Sequence, residues 1–123
     1  MKFKKECEIL WKDKKRIWGM PISFTKYYIV KKTDEWVKLF SDIGFFTSTI
    51  EEANIYRCYD VKLTVTLMDK LFKTGTLVIK ANDDSTPEIY IKHIKNAYKV
   101  RDLISSLIEK ERAKKKVGIT EFH

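Results

Sequence analysis

Two histidines (His93 and His123), two cysteines (Cys7 and Cys58) and the basic run Lys12-Asp13-Lys14-Lys15-Arg16 are the residues of this sequence whose types could do chemistry. Nucleophilic catalysis needs a nucleophile, a base and a group that orients the base. Cys58 stands near Asp60 and Lys62, with no histidine close along the chain. His93 shares the alternation of Ile89 and Ile91, which predicts a satisfied or packed histidine, and His123 is the last residue. That set is too small for a catalytic centre, so no enzymatic activity, catalytic residue or cofactor is expected. Metal-ligand spacings of the CxxC or HxxxH kind are absent, and Asp83-Asp84 offers only two adjacent carboxylates in a polar turn. No metal is expected. The two cysteines, far apart in a chain large enough to bury its own core, read as free and reduced thiols. Arg57 and Asp60 head an alternating segment, and charges so placed predict a structural pair across a sheet rather than a reactive edge.

The basic residues say more once they are located. The 123 residues have a formal net charge of +8. Residues 1–20 hold seven basic against three acidic side chains, residues 21–66 six of each, 67–96 five against four, and 97–123 seven against four. The excess therefore sits at both ends of the chain, around a neutral middle. Such clusters attract phosphates and anionic headgroups, and they also simply keep a protein soluble. Lys14, Lys15 and Arg16, beside Trp11 and Trp18, are candidate contacts for an anionic surface, with the tryptophans either anchoring at that interface or packing onto the domain. Lys31 and Lys32 extend that candidate set. Nucleic acid is disfavoured, because stacking aromatics need cations around them and the aromatic-rich middle is neutral.

Those residues must be held by elements that the patterning also predicts. Residues 22–31 (ISFTKYYIVK), 35–43, 45–55 and 56–66 read as strands, dense in β-branched and aromatic types. Tyr27, Trp36 and Phe40 are expected on the outward faces of the first hairpin, as a surface for a partner. Val61, Leu63 and Val65 alternate with polar residues, Leu77 and Ile79 share one side of the next strand, and Ile89 and Ile91 face inward on the last. Residues 67–75 interrupt the alternation and predict a corner, with Leu67, Leu71 and Phe72 tucked into the core and Gly75 allowing the bend. From Asn96 the period changes: Val100, Leu103, Ile104, Leu107 and Ile108 follow helical spacing, Asn96 is a candidate N-cap and Gly118 a candidate stop.

The expected architecture is mainly β with one C-terminal α-helix: about seven short antiparallel strands, then an amphipathic helix over about 96–116. Residues 1–20 form a basic lead segment packing on the domain, 21–116 the domain, and 117–123 a flexible tail. No run approaches the roughly 18–20 apolar residues that span a bilayer. With no apolar stretch behind the basic start, a cytoplasmic protein is expected, at most peripheral at the inner face of the membrane.

The order of strands and closing helix resembles the pleckstrin-homology superfold, and the wording of the segments resembles its bacterial PH-like family. The resemblance rests on Gly44-Phe45-Phe46-Thr47, on Tyr56-Arg57 followed by Asp60-Val61, and on Leu71-Phe72-Lys73-Thr74-Gly75-Thr76. It also rests on Ile94-Lys95-Asn96 leading into a helix that carries Val100, Leu103, Leu107 and Glu109-Lys110-Glu111-Arg112. It covers roughly residues 20–116, and departs from the family pattern at Lys73, near which a second glycine is common. The resemblance implies a PH-like, partly open barrel of about seven strands capped by the helix, no catalytic residues, and use as a docking platform. The partner it implies is a protein or a second copy of the chain, giving a homo-oligomer, and the alternative is a peripheral module on anionic membrane. Phosphoinositide-binding members of the superfold carry cations on the first two strands. The matching Lys26, Lys31 and Lys32 are diluted here by Asp34 and Glu35.

Overall fold

The computed structural model describes residues 6–17, 20, 23–33, 35–44, 46–82 and 87–121, with side chains described as far as Lys114. Trp18, Asp34, Phe45, Asp83, Asp84 and His123, named above, lie outside that set.

Alternating segments build two antiparallel sheets. The first contains β1 (Cys7–Lys14), β2 (Lys26–Lys32), β3 (Trp36–Ile43) and β4 (Thr49–Asn54), each paired with the next. A 3-10 turn, Ile55–Arg57, leads into the second sheet of β5 (Cys58–Thr64), β6 (Thr74–Ala81) and β7 (Glu88–Lys95). A short helix, α1 (Leu67–Phe72), links β5 to β6, and a long one, α2 (Ala97–Glu121), follows β7. Seven antiparallel strands and a C-terminal helix are present, arranged as two sheets rather than as a closed barrel. The lead segment is part of the sheet: β1 pairs with β2 from Cys7↔Lys32 to Lys14↔Lys26, with a bulge between Ile9 and Trp11. Helix α2 continues past Gly118, because a glycine inside a helix costs only about 1 kcal/mol and does not by itself end it.

The inner faces of the two sheets meet α2. Ile29, Leu39, Leu77, Ile79, Ile91 and Ile94 are fully buried there, with Ile55 and Cys58 from the joint between sheets. Val100, Ile104, Leu107 and Ile108 of α2 close this core, with Leu103 half-buried at its rim, as the helical spacing predicts. Tyr27 corrects one expectation. It is 3% exposed, because period-2 alternation places it on the same face as Ile29. Its hydroxyl accepts a hydrogen bond from the Lys92 backbone N–H at 3.1 Å, tying the first sheet to the second. Burial raises the phenol pKa, and the Lys92 hydrogen bond works against that rise. Phe40 does stand on the outer face, but it is 7% exposed, packed with Tyr28 and Val30. Trp36, half-buried, meets it edge-on at 6.2 Å between ring centroids.

The corner at 67–75 is also built differently from the expectation. Leu67 is 83% exposed and Leu71 70%, while Asp69 is 2% exposed. The single acid of α1 therefore faces the interior and its leucines face out. Gly75 does not supply the left-handed conformation; Lys73 does, with φ 58 and ψ 43 at the C-cap of α1. Gly75 instead makes room, since a Cβ there would come within 2.8 Å of Ala97 Cβ and 3.0 Å of Leu63 Cδ1. Adjacent substitutions should consequently act in opposite directions. Lys73→Gly relieves a left-handed lysine and should stabilise the fold by about 0.5–1 kcal/mol. Gly75→Ala overfills the seam between β6 and α2 and should destabilise it by about 1–3 kcal/mol. Urea unfolding of both variants, followed by circular dichroism, measures the two signs.

Candidate functional site

The four cations of the basic run, Lys12, Lys14, Lys15 and Arg16, stay together in space. In β1–β2 register Lys14 lies opposite Lys26 and Lys12 opposite Tyr28. Beyond β1 the backbone is pinned on both sides: Lys15 N–H donates to Thr25 O at 2.9 Å and Arg16 N–H to His93 O at 2.9 Å. This draws the end of β7 alongside, so that Lys95 N–H reaches the Asp13 carboxylate at 3.2 Å. Asp13 also accepts from Lys14 N–H at 2.8 Å and pairs with Arg16 Nη2 at 3.2 Å. One carboxylate thus stands among Lys12, Lys14, Lys15, Arg16, Lys26, Lys95 and Lys99. Two shallow clefts open beside it, of about 380 Å³ toward Lys95 and Lys99 and about 370 Å³ toward Lys14 and Lys26, and both share Lys12, Asp13 and Arg16. The Arg16 Nε is buried and donates to no acceptor. A buried cationic donor left unpaired costs free energy.

A third cleft, of about 410 Å³, lies between this basic end and α1; Lys15, Arg16 and Ile17 face Met68, Asp69, Phe72, Thr74 and His93 across it. Local chemistry sets its far wall. Thr66 caps α1 by a reciprocal box: Asp69 N–H donates to Thr66 Oγ1 at 3.2 Å, and Thr66 N–H donates to Asp69 Oδ2 at 3.0 Å. The same carboxylate accepts from Thr66 Oγ1 at 2.9 Å and Thr74 Oγ1 at 2.8 Å, and meets His93 Nδ1 at 2.8 Å. Burial works to raise the Asp69 pKa, but the Thr66 backbone N–H, His93, Thr74 and the Thr66 hydroxyl outweigh it and hold the carboxyl at about 2. The ionised carboxylate only accepts, so Nδ1 of His93 carries the proton. His93 itself sits in a left-handed conformation, φ 51, where its N–H donates to Thr76 Oγ1 at 3.2 Å.

A carboxylate that orients an imidazole also occurs in catalytic triads, but here the neighbouring hydroxyls do other work. Thr66 and Thr74 both donate to Asp69, and Thr76 accepts from the His93 backbone. Cys58 lies far from the cleft in the main core, where desolvation raises its thiol pKa to about 11 and the Arg112 charge offsets only part of the rise. Among the described residues no group of three His, Cys, Asp or Glu side chains is gathered as a metal ion would need.

Other expected site residues fall elsewhere. Lys31 and Lys32 lie at the opposite end of β2 from Lys26, about 20 Å away at the strand rise, so they do not join Lys14, Lys15 and Arg16. Lys32 pairs with Glu35 at 3.1 Å and Glu6 at 3.7 Å, and Lys31 lines a separate cleft with Leu10, Val37, Leu103 and Leu107. Arg57 turns its guanidinium over the Tyr56 ring at 5.7 Å, and Asp60 stands on β5 opposite Lys80. Sequence reasoning missed Asp69 and His93 as a pair. Compared with family models, curated proteins and solved structures, the chain matches none of them.

The Asp69 network makes a prediction about pH. A carboxylate whose folded pKa lies below its ordinary value of 3.8 contributes stability that is present above that value and is lost as pH falls toward about 2. The native chain should lose roughly 2 kcal/mol over that interval, a loss that Asp69→Asn should not show. At neutral pH Asp69→Ala should cost about 2–3 kcal/mol, since buried donors lose their acceptor. Denaturant midpoints recorded from pH 2 to pH 7 test both statements.

Proposed function

We propose that this chain is a non-catalytic, bacterial PH-like docking domain that seats its basic end on an anionic membrane surface at the inner face of the membrane. The observation that carries the reading is the convergence of Lys12, Lys14, Lys15, Arg16, Lys26, Lys95 and Lys99 around Asp13, where the cations outnumber that carboxylate and the Asp42 that stands opposite Lys26. Four elements contribute to that surface, so the charge is a property of the fold and not of one segment. The PH-like assignment is supported by the order of a four-stranded sheet, a three-stranded sheet and a terminal helix. No helix among the described residues is long and apolar enough to cross a membrane. Association from outside the bilayer, through headgroup charge, is the mode the arrangement suits.

A second reading, self-association or docking of a protein partner, keeps one specific support. Among the described residues β4 pairs with β3 alone, and Ile50 on it and Phe46 before it are exposed, which invites strand pairing. The partner surface expected on Tyr27 and Phe40 is not available for this, because both are buried.

Co-sedimentation with phosphatidylserine-containing vesicles separates the readings. Binding should be present at low salt and fade at high salt, because exposed charges are screened. Reversing Lys12, Lys14 and Lys26 to Glu should weaken it by about a hundredfold or more, at about 1 kcal/mol or more for each position. Reversing Lys31 and Lys32 should change it far less. No binding at either salt, together with a salt-insensitive dimer by light scattering, would shift the assignment to self-association.

A further inference from the structure

Helix α1 exposes Leu67 and Leu71 almost fully and Met68 by about half, and buries its only acid. A short surface helix normally does the reverse, burying its leucines and leaving an aspartate in water. The orientation is not accidental slack. It is fixed from both ends of the Asp69 side chain by Thr66, Thr74 and His93, which belong to the cap of α1, to β6 and to β7. The chain therefore holds three large apolar side chains in water by means of a buried polar network.

Their surroundings indicate what they meet. Lys70 lies within α1 and Lys73 caps it. Across the adjoining cleft stand Lys15, Arg16 and the exposed Ile17. An apolar knob ringed by cations complements an anionic bilayer, where the cations meet headgroups and the knob meets the acyl boundary. It does not complement a basic or neutral protein surface in the same way, and the cations would oppose a second copy of the same patch.

We infer that α1 is a shallow insertion element: when the basic end seats on an anionic bilayer, Leu67, Met68 and Leu71 enter the boundary between headgroups and acyl chains. This rests on the membrane reading above and adds a hydrophobic component to it. The Asp69 network gives α1 its orientation before contact, so no rearrangement is required on arrival.

The test uses the full chain and vesicles of phosphatidylcholine with phosphatidylserine. Leu67→Ser/Leu71→Ser changes only exposed side chains, so it should fold as the parent does, which thermal unfolding checks. Its vesicle affinity should fall about ten- to a hundredfold while the salt dependence persists. In parallel, Leu71→Cys in a Cys7→Ser background takes an environment-sensitive nitrobenzoxadiazole label, Cys58 being buried in the core. The label should shift to the blue on vesicles and be quenched by shallow doxyl lipids, whereas the same label at Glu51→Cys on β4 should do neither. Salt-dependent binding with no shift at position 71 and an unaffected serine variant would overturn insertion and leave the electrostatic reading standing. Absence of binding to any vesicle would overturn both. If the serine variant then also converted a dimer to a monomer, α1 would be a contact between copies.

Discussion

A buried carboxylate is costly unless its charge is fully met by donors, and Asp69 is placed where α1, β6 and β7 can all supply them. Two oxygens take hydrogen bonds from a backbone N–H, two threonine hydroxyls and an imidazole. Each donor comes from a residue whose position depends on a different pairing: Thr66 on the cap of α1, Thr74 on β6, His93 on the irregular end of β7. The carboxylate thus couples a six-residue helix, too short to be stable alone, to two strands of the second sheet. Withdrawing it would leave α1 with no buried side chain to hold its orientation, because Leu67 and Leu71 are largely exposed and Met68 and Phe72 are only about half-buried.

The same corner governs where the cations go. His93 donates to Asp69 through its ring and accepts Arg16 N–H through its carbonyl, so one residue fixes both walls of the cleft between α1 and the basic end. Asp13 performs the complementary task on the other side of Arg16, accepting from Lys14 and Lys95 backbone donors as well as pairing with the guanidinium. Like charges this close repel, and Asp13, with Asp42 opposite Lys26, lowers the repulsion without cancelling the field. Two aspartates therefore organise this end of the molecule by different means, one compensating cations on the surface and the other satisfying hydrogen-bond donors inside.

Much of the scaffold was legible because its signals are periodic. Alternation at Leu77 and Ile79, at Ile89 and Ile91, and the helical series Val100 to Ile108 each put apolar residues on the face that is buried. Tyr27 was legible in principle, since it shares parity with Ile29, but grouping it with Trp36 and Phe40 puts it on the outward face; the Lys92 N–H that satisfies its hydroxyl is 65 residues away, beyond any local pattern. The corner misled for a different reason. Leu67, Leu71 and Phe72 carry the strongest hydrophobic signal in it, yet burial there was decided by a polar network whose partners lie on two later strands. The Thr66-x-x-Asp69 spacing of a capping box was visible and marks the helix start, but it does not say that the acid will turn inward. The basic run was found as a run, while Lys26, Lys95 and Lys99 join it only through strand register, and Lys31 and Lys32 leave it for the same reason.

Exposed leucines carry a cost in a small domain, since they favour aggregation and contribute nothing to the core. A sequence with no use for them could place a polar residue at 67 or 71 without disturbing Asp69, whose network involves neither side chain. That they stand outward, and that lysines rather than acids lie beside them in α1 and at its cap, together favour an occupant that is apolar at its centre and anionic at its rim. A lipid surface has that layering at every point, and so it can receive the knob without the close shape complementarity that a protein interface requires.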